Sequence, residues 1–172
     1  MSLYGYRVRR RKNNKSLPFV AGAYLLAIII LVIIFLYFNV DKINYKRYKA
    51  YEAKVNVSFQ DIIKNADIYT KDYNNNKITK KQMIDNLAAT SKDLESLHDS
   101  FRWRWGDQVT KELFLIKKEI IIDYSQYYKD KYKGLLYGVK SSEMEQLNYI
   151  MRLTVRYNER DRYQRQRFKI RF

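Results

Sequence analysis

Asp72, Asn74 and Asn76 fall at the first, third and fifth ligand positions of a calcium-binding EF-hand loop, where oxygen-bearing side chains would surround a hard cation. The sixth position needs glycine for its sharp turn and is Lys77. The twelfth needs a bidentate glutamate and is Met83. A polar turn without a metal is the expectation. His98 is the single histidine, and with Glu95 and Asp99 close in sequence it is the one candidate for a general base with an orienting acid. It lies four residues after Leu94 and three before Phe101, at the edge of an apolar stripe, which predicts a hydrogen-bonded structural histidine. With no cysteine and one histidine, the chain excludes disulfides, thiolate zinc sites, cysteine nucleophiles and multi-histidine metal sites. It has no glycine-rich phosphate loop, nucleophile elbow or paired-carboxylate signature, so the expectation is a protein that is not an enzyme and uses no cofactor.

Two segments carry residues suited to binding instead. Phe101-Arg102-Trp103-Arg104-Trp105 alternates both tryptophans of the chain with two arginines, the side chains over-represented at interface hot spots and equally suited to lipid headgroups. These five residues are the candidate partner-binding set. The run from Arg156 to Phe172 combines cations with aromatics and little acid. Together with Arg152, its Arg156, Arg160, Arg162, Arg165, Arg167, Lys169 and Arg171 are the candidate contacts for an anionic polymer or lipid.

These segments need a scaffold, and the clearest element is an anchor. From Phe19 to Phe38 there are 20 residues without a charge. As a helix they would extend ~30 Å, the thickness of a bilayer's hydrocarbon core. The run exceeds the apolar region of a cleaved signal peptide, and no small-residue cleavage site follows it promptly, so an uncleaved single-span anchor is expected. Arg7, Arg9, Arg10, Arg11, Lys12 and Lys15 precede it without an acid, which predicts a cytoplasmic N-terminus and an extracytoplasmic C-terminal domain in the cell membrane. Lys42, Lys46, Arg47, Lys49 and Lys54 follow the run and partly offset this asymmetry. The net charge of +16 is concentrated at the two ends: residues 41–151 hold 20 Lys/Arg against 16 Asp/Glu, whereas 152–172 hold 8 against 2.

The remaining residues suffice for one domain. Only 5 Gly and 1 Pro favour long helices over a turn-rich β fold. Tyr48, Tyr51, Val55, Phe59, Ile62, Ala66, Tyr69 and Tyr73 mark a first helix, continuous with the anchor if no break intervenes, and Asn74–Asn76 end it. Thr79 and Gln82 have capping-box spacing before Met83, Leu87, Leu94, Leu97 and Phe101. After Gly106 and Asp107, a third stripe runs through Val109, Leu113, Ile116, Ile120, Tyr124 and Tyr127. Ser142 and Glu145 would cap a fourth helix with Met144, Leu147, Met151 and Val155 inward. Tyr149 to Tyr157 and Phe168 to Phe172 also alternate, so a terminal β-hairpin turning near Asn158 to Asp161 rivals the helix; the cap favours the helix, and residues 158–172 read as helix, hairpin or disordered chain.

The expected fold is all-α: a single N-terminal transmembrane helix followed by a small antiparallel bundle of three to four helices. Its divisions are a basic tail over residues 1–17, the span at 18–39, the bundle at 40–157 and a basic aromatic tail at 158–172. The expected function is a non-catalytic envelope protein whose domain docks a protein partner or a second copy. The alternative is a binder of anionic polymer or lipid through the C-terminus. Nucleic acid is a partner only if the domain is cytoplasmic, since the expected orientation removes it from chromosomal DNA.

Overall fold

The computed structural model describes residues 17–138 and 143–170. Four helices follow in order: α1 Leu17–Asn74, α2 Lys80–Ser100, α3 Gln108–Tyr137 and α4 Glu143–Phe168. No strand occurs among the described residues. The chain divides into two compact units, Met1–Val40 and Asp41–Phe172. In the first unit residues 21–38 of α1 are exposed, and this stretch makes α1 long and apolar enough to cross a membrane. The six cations from Arg7 to Lys15 lie outside the described residues.

In the second unit α1 buries Tyr45, Tyr48, Glu52, Val55, Phe59 and Ala66, at steps of three, four, three, four and seven residues. The expected stripe began at Tyr48 and omitted charged residues, but the structure extends it to Tyr45 and places Glu52 at a core position. Asn76 then takes the left-handed φ of +56°, which asparagine tolerates better than most residues, and the Lys77 N–H donates to the Asp72 carbonyl at 2.8 Å. The EF-hand-like spacing serves this turn, with the Asp72 carboxylate 3.6 Å from the Lys77 ammonium.

Thr79 and Gln82 make both halves of the capping box of α2. Thr79 Oγ1 accepts from the Gln82 N–H at 3.2 Å, and Gln82 Oε1 accepts from the Thr79 N–H at 2.8 Å. Met83, Leu87 and Leu94 are buried, and Phe101 closes the helix in the core. Gly106 sits at φ +110°, where a Cβ would come within 2.9 Å of the Thr110 side chain, so only glycine fits that turn. Asp107 then caps α3, its Oδ1 accepting from the Thr110 N–H at 2.9 Å.

Helix α3 packs against both α2 and α4, so its buried surface is wider than a single stripe. Leu113, Ile116 and Ile120 are buried as their spacing predicts, and Ile121, Ser125 and Tyr128 are buried beside them. The Ser91 and Ser125 hydroxyls lie 2.9 Å apart, small polar residues bringing α2 and α3 together.

Helix α4 departs most from its sequence pattern. Ser142, its expected cap, lies outside the described residues. The inward face is Ile150, Leu153, Tyr157, Asp161 and Gln164. Met144, Met151 and Val155, expected to point inward, are 71%, 62% and 53% exposed. Both stripes have helical spacing; the inward one also places Asp161 and Gln164 opposite polar partners on α1 and α3. The same two residues tie α4 to α1 and α3, and the helix runs to Phe168, which corrects the hairpin and disorder alternatives as far as that residue. The helix ends with Lys169 at φ +50°, the Ile170 N–H donating to the Arg165 carbonyl at 3.0 Å and the Lys169 N–H to the Gln166 carbonyl at 3.2 Å. This is a Schellman termination with lysine at the position glycine usually takes.

Candidate functional site

The core of the second unit contains a charged cluster where α1, α3 and α4 meet. Glu52 reaches its core position because Lys49, three residues earlier on the same helix, holds its carboxylate at 2.5 Å. The same ammonium lies 3.1 Å from Asp161 Oδ1 and donates to the Tyr157 hydroxyl at 3.2 Å. Asp161 also accepts from the Tyr45 hydroxyl at 2.8 Å and from Arg165 Nε at 2.7 Å. Lys49, Glu52, Tyr157, Asp161 and Arg165, with Asn56 and Lys117, line a cleft of about 450 Å³. Lys117 lies 4.9 Å over the Phe59 ring, and burial lowers its pKa against the opposing charge of Glu52. Each charge of Lys49, Glu52 and Asp161 is met by an opposite one, so the cluster fixes α1 against α4.

The tyrosines around it give the domain an alkaline limit. Burial, and then Asp161, raise the Tyr45 pKa above its ordinary 10.0. Burial and the Glu52 charge do the same at Tyr48; at Tyr157 burial, Tyr48 and Glu52 contribute; at Tyr128 burial and Asp67. Folding therefore keeps these phenols protonated where the unfolded chain would ionise them. Their contribution to stability is complete below about pH 10 and declines as pH rises through that value toward the folded pKa values. Helical circular dichroism should hold to about pH 10 and collapse above it in step with tyrosinate absorbance. Ionisation of the buried phenols with helicity intact would show them to be solvated.

Of the expected partner-binding residues, Phe101 is buried in the core, 5.0 Å from the Phe114 ring. Trp103 is half-buried, stacked on Tyr51 and edge-on to Tyr48, and its Nε1–H donates to the Trp105 carbonyl. Arg102, Arg104 and Trp105 are exposed and line a shallow groove of about 380 Å³ with Tyr51 and Trp103. His98 Nδ1 lies 3.0 Å from Asp99, whereas Glu95 faces Ser125 and Lys129, so the proposed orienting acids point to different neighbours.

No protein-family model, curated protein or solved structure matches the chain.

The structure divides the expected polyanion-binding set into two groups. Arg165 is held by Asp161, Arg167 joins Asp107 and Asp41, and Arg160 lies 3.3 Å from Glu112. Arg152, Arg156, Arg162 and Lys169 are exposed, Arg152 lying over the Tyr149 ring at 5.9 Å. Arg171 is outside the described residues. The exposed arginines flank Met144, Met151 and Val155, so the outward face of α4 is a basic-edged apolar stripe. Its helical spacing predicts an inward face, and the structure turns it outward. The independent signal that would have reversed it is the polar pair Asp161 and Gln164 on the competing face.

Proposed function

We propose that this chain is a non-catalytic, single-pass protein of the cell envelope whose helical domain lies outside the cytoplasm and docks a protein partner against the outward face of α4. The observation that carries the reading is the exposed stripe of Met144, Met151 and Val155. Apolar side chains at helical spacing form a continuous face, and methionine adapts its shape to a partner. Arg152, Arg156 and Arg162 outnumber Glu145 and Glu159 around that stripe, which favours an acidic amphipathic segment as the occupant. The span is supported by the exposed, uncharged surface of residues 21–38, too extensive for a protein surface in water. The acid-free basic segment before it supports the orientation.

A photocrosslinking residue at exposed Asn148 should give a discrete adduct in intact cells. Met151→Asp with Val155→Asp should reduce that adduct about 30-fold, the effect of losing a hot spot, with helicity unchanged because both side chains are exposed. A reporter fused after Phe172 should be accessible from outside the cell. An adduct insensitive to the double substitution would refute docking on this face, and a cytoplasmic reporter would refute the orientation. The second reading, an anionic polymer held by Arg152, Arg156 and Arg162, predicts instead binding that collapses between low and high salt.

A further inference from the structure

A different surface lies at the end of the second unit where the chain enters it, at Asp41. There the α2–α3 connection is fastened to α1: Trp103 stacks on Tyr51 with ring centroids 5.9 Å apart and meets Tyr48 edge-on at 5.7 Å. The Arg102 N–H donates to the Tyr51 hydroxyl at 3.4 Å. Anchored this way, the connection presents Trp105, 66% exposed, beside exposed Arg102 and Arg104. Arg47, one turn before Tyr51 on the same side of α1, adds another exposed cation. The acids Asp41 and Asp107 are both engaged by Arg167. Asp99, 77% exposed, is the acid beside Arg102, its carboxylate 3.0 Å from His98 Nδ1, so the surface is a tryptophan with three exposed cations against one exposed acid.

We propose that this surface seats on anionic phospholipid headgroups of the bilayer that its own chain crosses. Arg47 and Tyr51 follow Phe38 by only 9 and 13 residues. Even a fully extended chain of that length reaches at most ~45 Å, so the surface is tethered close to lipid at a high effective concentration. Indole is at home between headgroups and acyl chains, arginine charges are attracted to anionic lipid, and their aliphatic stems accompany the ring into the interface. A protein partner would have to compete with the bilayer for the same groups. The proposal rests on the membrane-span reading and is independent of docking on α4.

Trp103 and Trp105 are the chain's only tryptophans, so Trp103→Phe leaves Trp105 as the sole reporter. The full chain carrying that substitution would be placed in nanodiscs of phosphatidylcholine, alone or with one third phosphatidylglycerol. Lipid brominated near the acyl carbonyls and aqueous iodide would serve as quenchers. In anionic discs, bromolipid quenching of Trp105 should rise about three-fold over zwitterionic discs and iodide quenching should fall correspondingly. Arg102→Gln with Arg104→Gln, or ~1 M salt, should erase the difference. Equal iodide quenching in both disc types without bromolipid quenching would overturn the proposal. So would shielding of Trp105 in cells but not in discs, which would assign the surface to a protein. A chain that does not enter discs at all would refute the span itself, a result distinct from a chain that enters with Trp105 still in water.

Discussion

Asp161→Ala should destabilise the helical domain by about 3–5 kcal/mol, the largest loss expected from a single substitution. Its carboxylate receives Lys49, Tyr45 and Arg165 together, and its side chain is only 9% exposed. Removing it leaves Lys49 with Glu52 and the Tyr157 hydroxyl and leaves the Tyr45 hydroxyl only the Asp161 carbonyl at 3.4 Å, so an excess positive charge in the cluster and a weakened buried donor both contribute. Asp161→Asn preserves shape and an acceptor for Tyr45, and should lose less. Arg160→Ala is the contrasting case, since the Arg160–Glu112 pair is partly solvated and should contribute under about 1 kcal/mol. Thermal melts of the full chain in detergent would separate them. Equal melting temperatures for Asp161→Ala and Arg160→Ala would show the cluster to be open to water.

Asp107→Ala comes next, at about 2–4 kcal/mol, from a lost helix cap and a buried donor left short of an acceptor. One carboxylate caps α3 through the Thr110 N–H, accepts from the buried Gln164 amide at 2.7 Å and pairs with Arg167. Desolvation opposes its charge, but the bonds from Thr110 and Gln164 and the Arg167 charge outweigh it and hold the pKa below the ordinary 3.8. With the folded value depressed, this contribution is complete above about pH 3.8 and is lost as pH falls through the folded pKa. Asp107→Asn keeps a cap yet removes the charge, so it should flatten this part of the acid unfolding profile. An unchanged acid limb in Asp107→Asn would assign that slope to other carboxylates.

Asp107 also shows why part of the design was legible and part was not. Gly106 and Asp107 before an apolar stripe read as a junction between helices, because such breaks need only local chemistry, and the structure makes Asp107 the cap. Its second role depends on Gln164, 57 residues away, and no local pattern announces that meeting. The Thr79/Gln82 box and the Asn76 turn were readable for the same local reason. Glu52 was not: a glutamate on an apolar stripe is ordinarily solvated, and here Lys49, the Asn56 amide at 3.3 Å and the approach of α4 hold it inside.

The distinction is sharpest on the two surfaces proposed to bind. Met144, Met151 and Val155 share the helical period of Ile150, Leu153 and Tyr157, and periodicity identifies faces without saying which one a neighbour covers. Likewise Phe101 to Trp105 announces a binding composition, but packing on Tyr48, Tyr51 and Phe114 decides that Phe101 and Trp103 face inward while Trp105 faces out.

By itself, then, the sequence determined the apolar helix, the all-helical character, the capping box that starts α2 and the asparagine turn that ends α1, and with no cysteine it excluded thiol chemistry. All of these follow from interactions within a few residues or from composition. Tertiary structure alone decided that the basic C-terminal run is helical as far as Phe168, that Arg160, Arg165 and Arg167 are engaged within the domain, and that α4 turns its methionines outward. Those outcomes depend on polar partners remote in sequence: a buried Asp161 or Gln164 is tolerable only where Lys49 or Asp107 already waits.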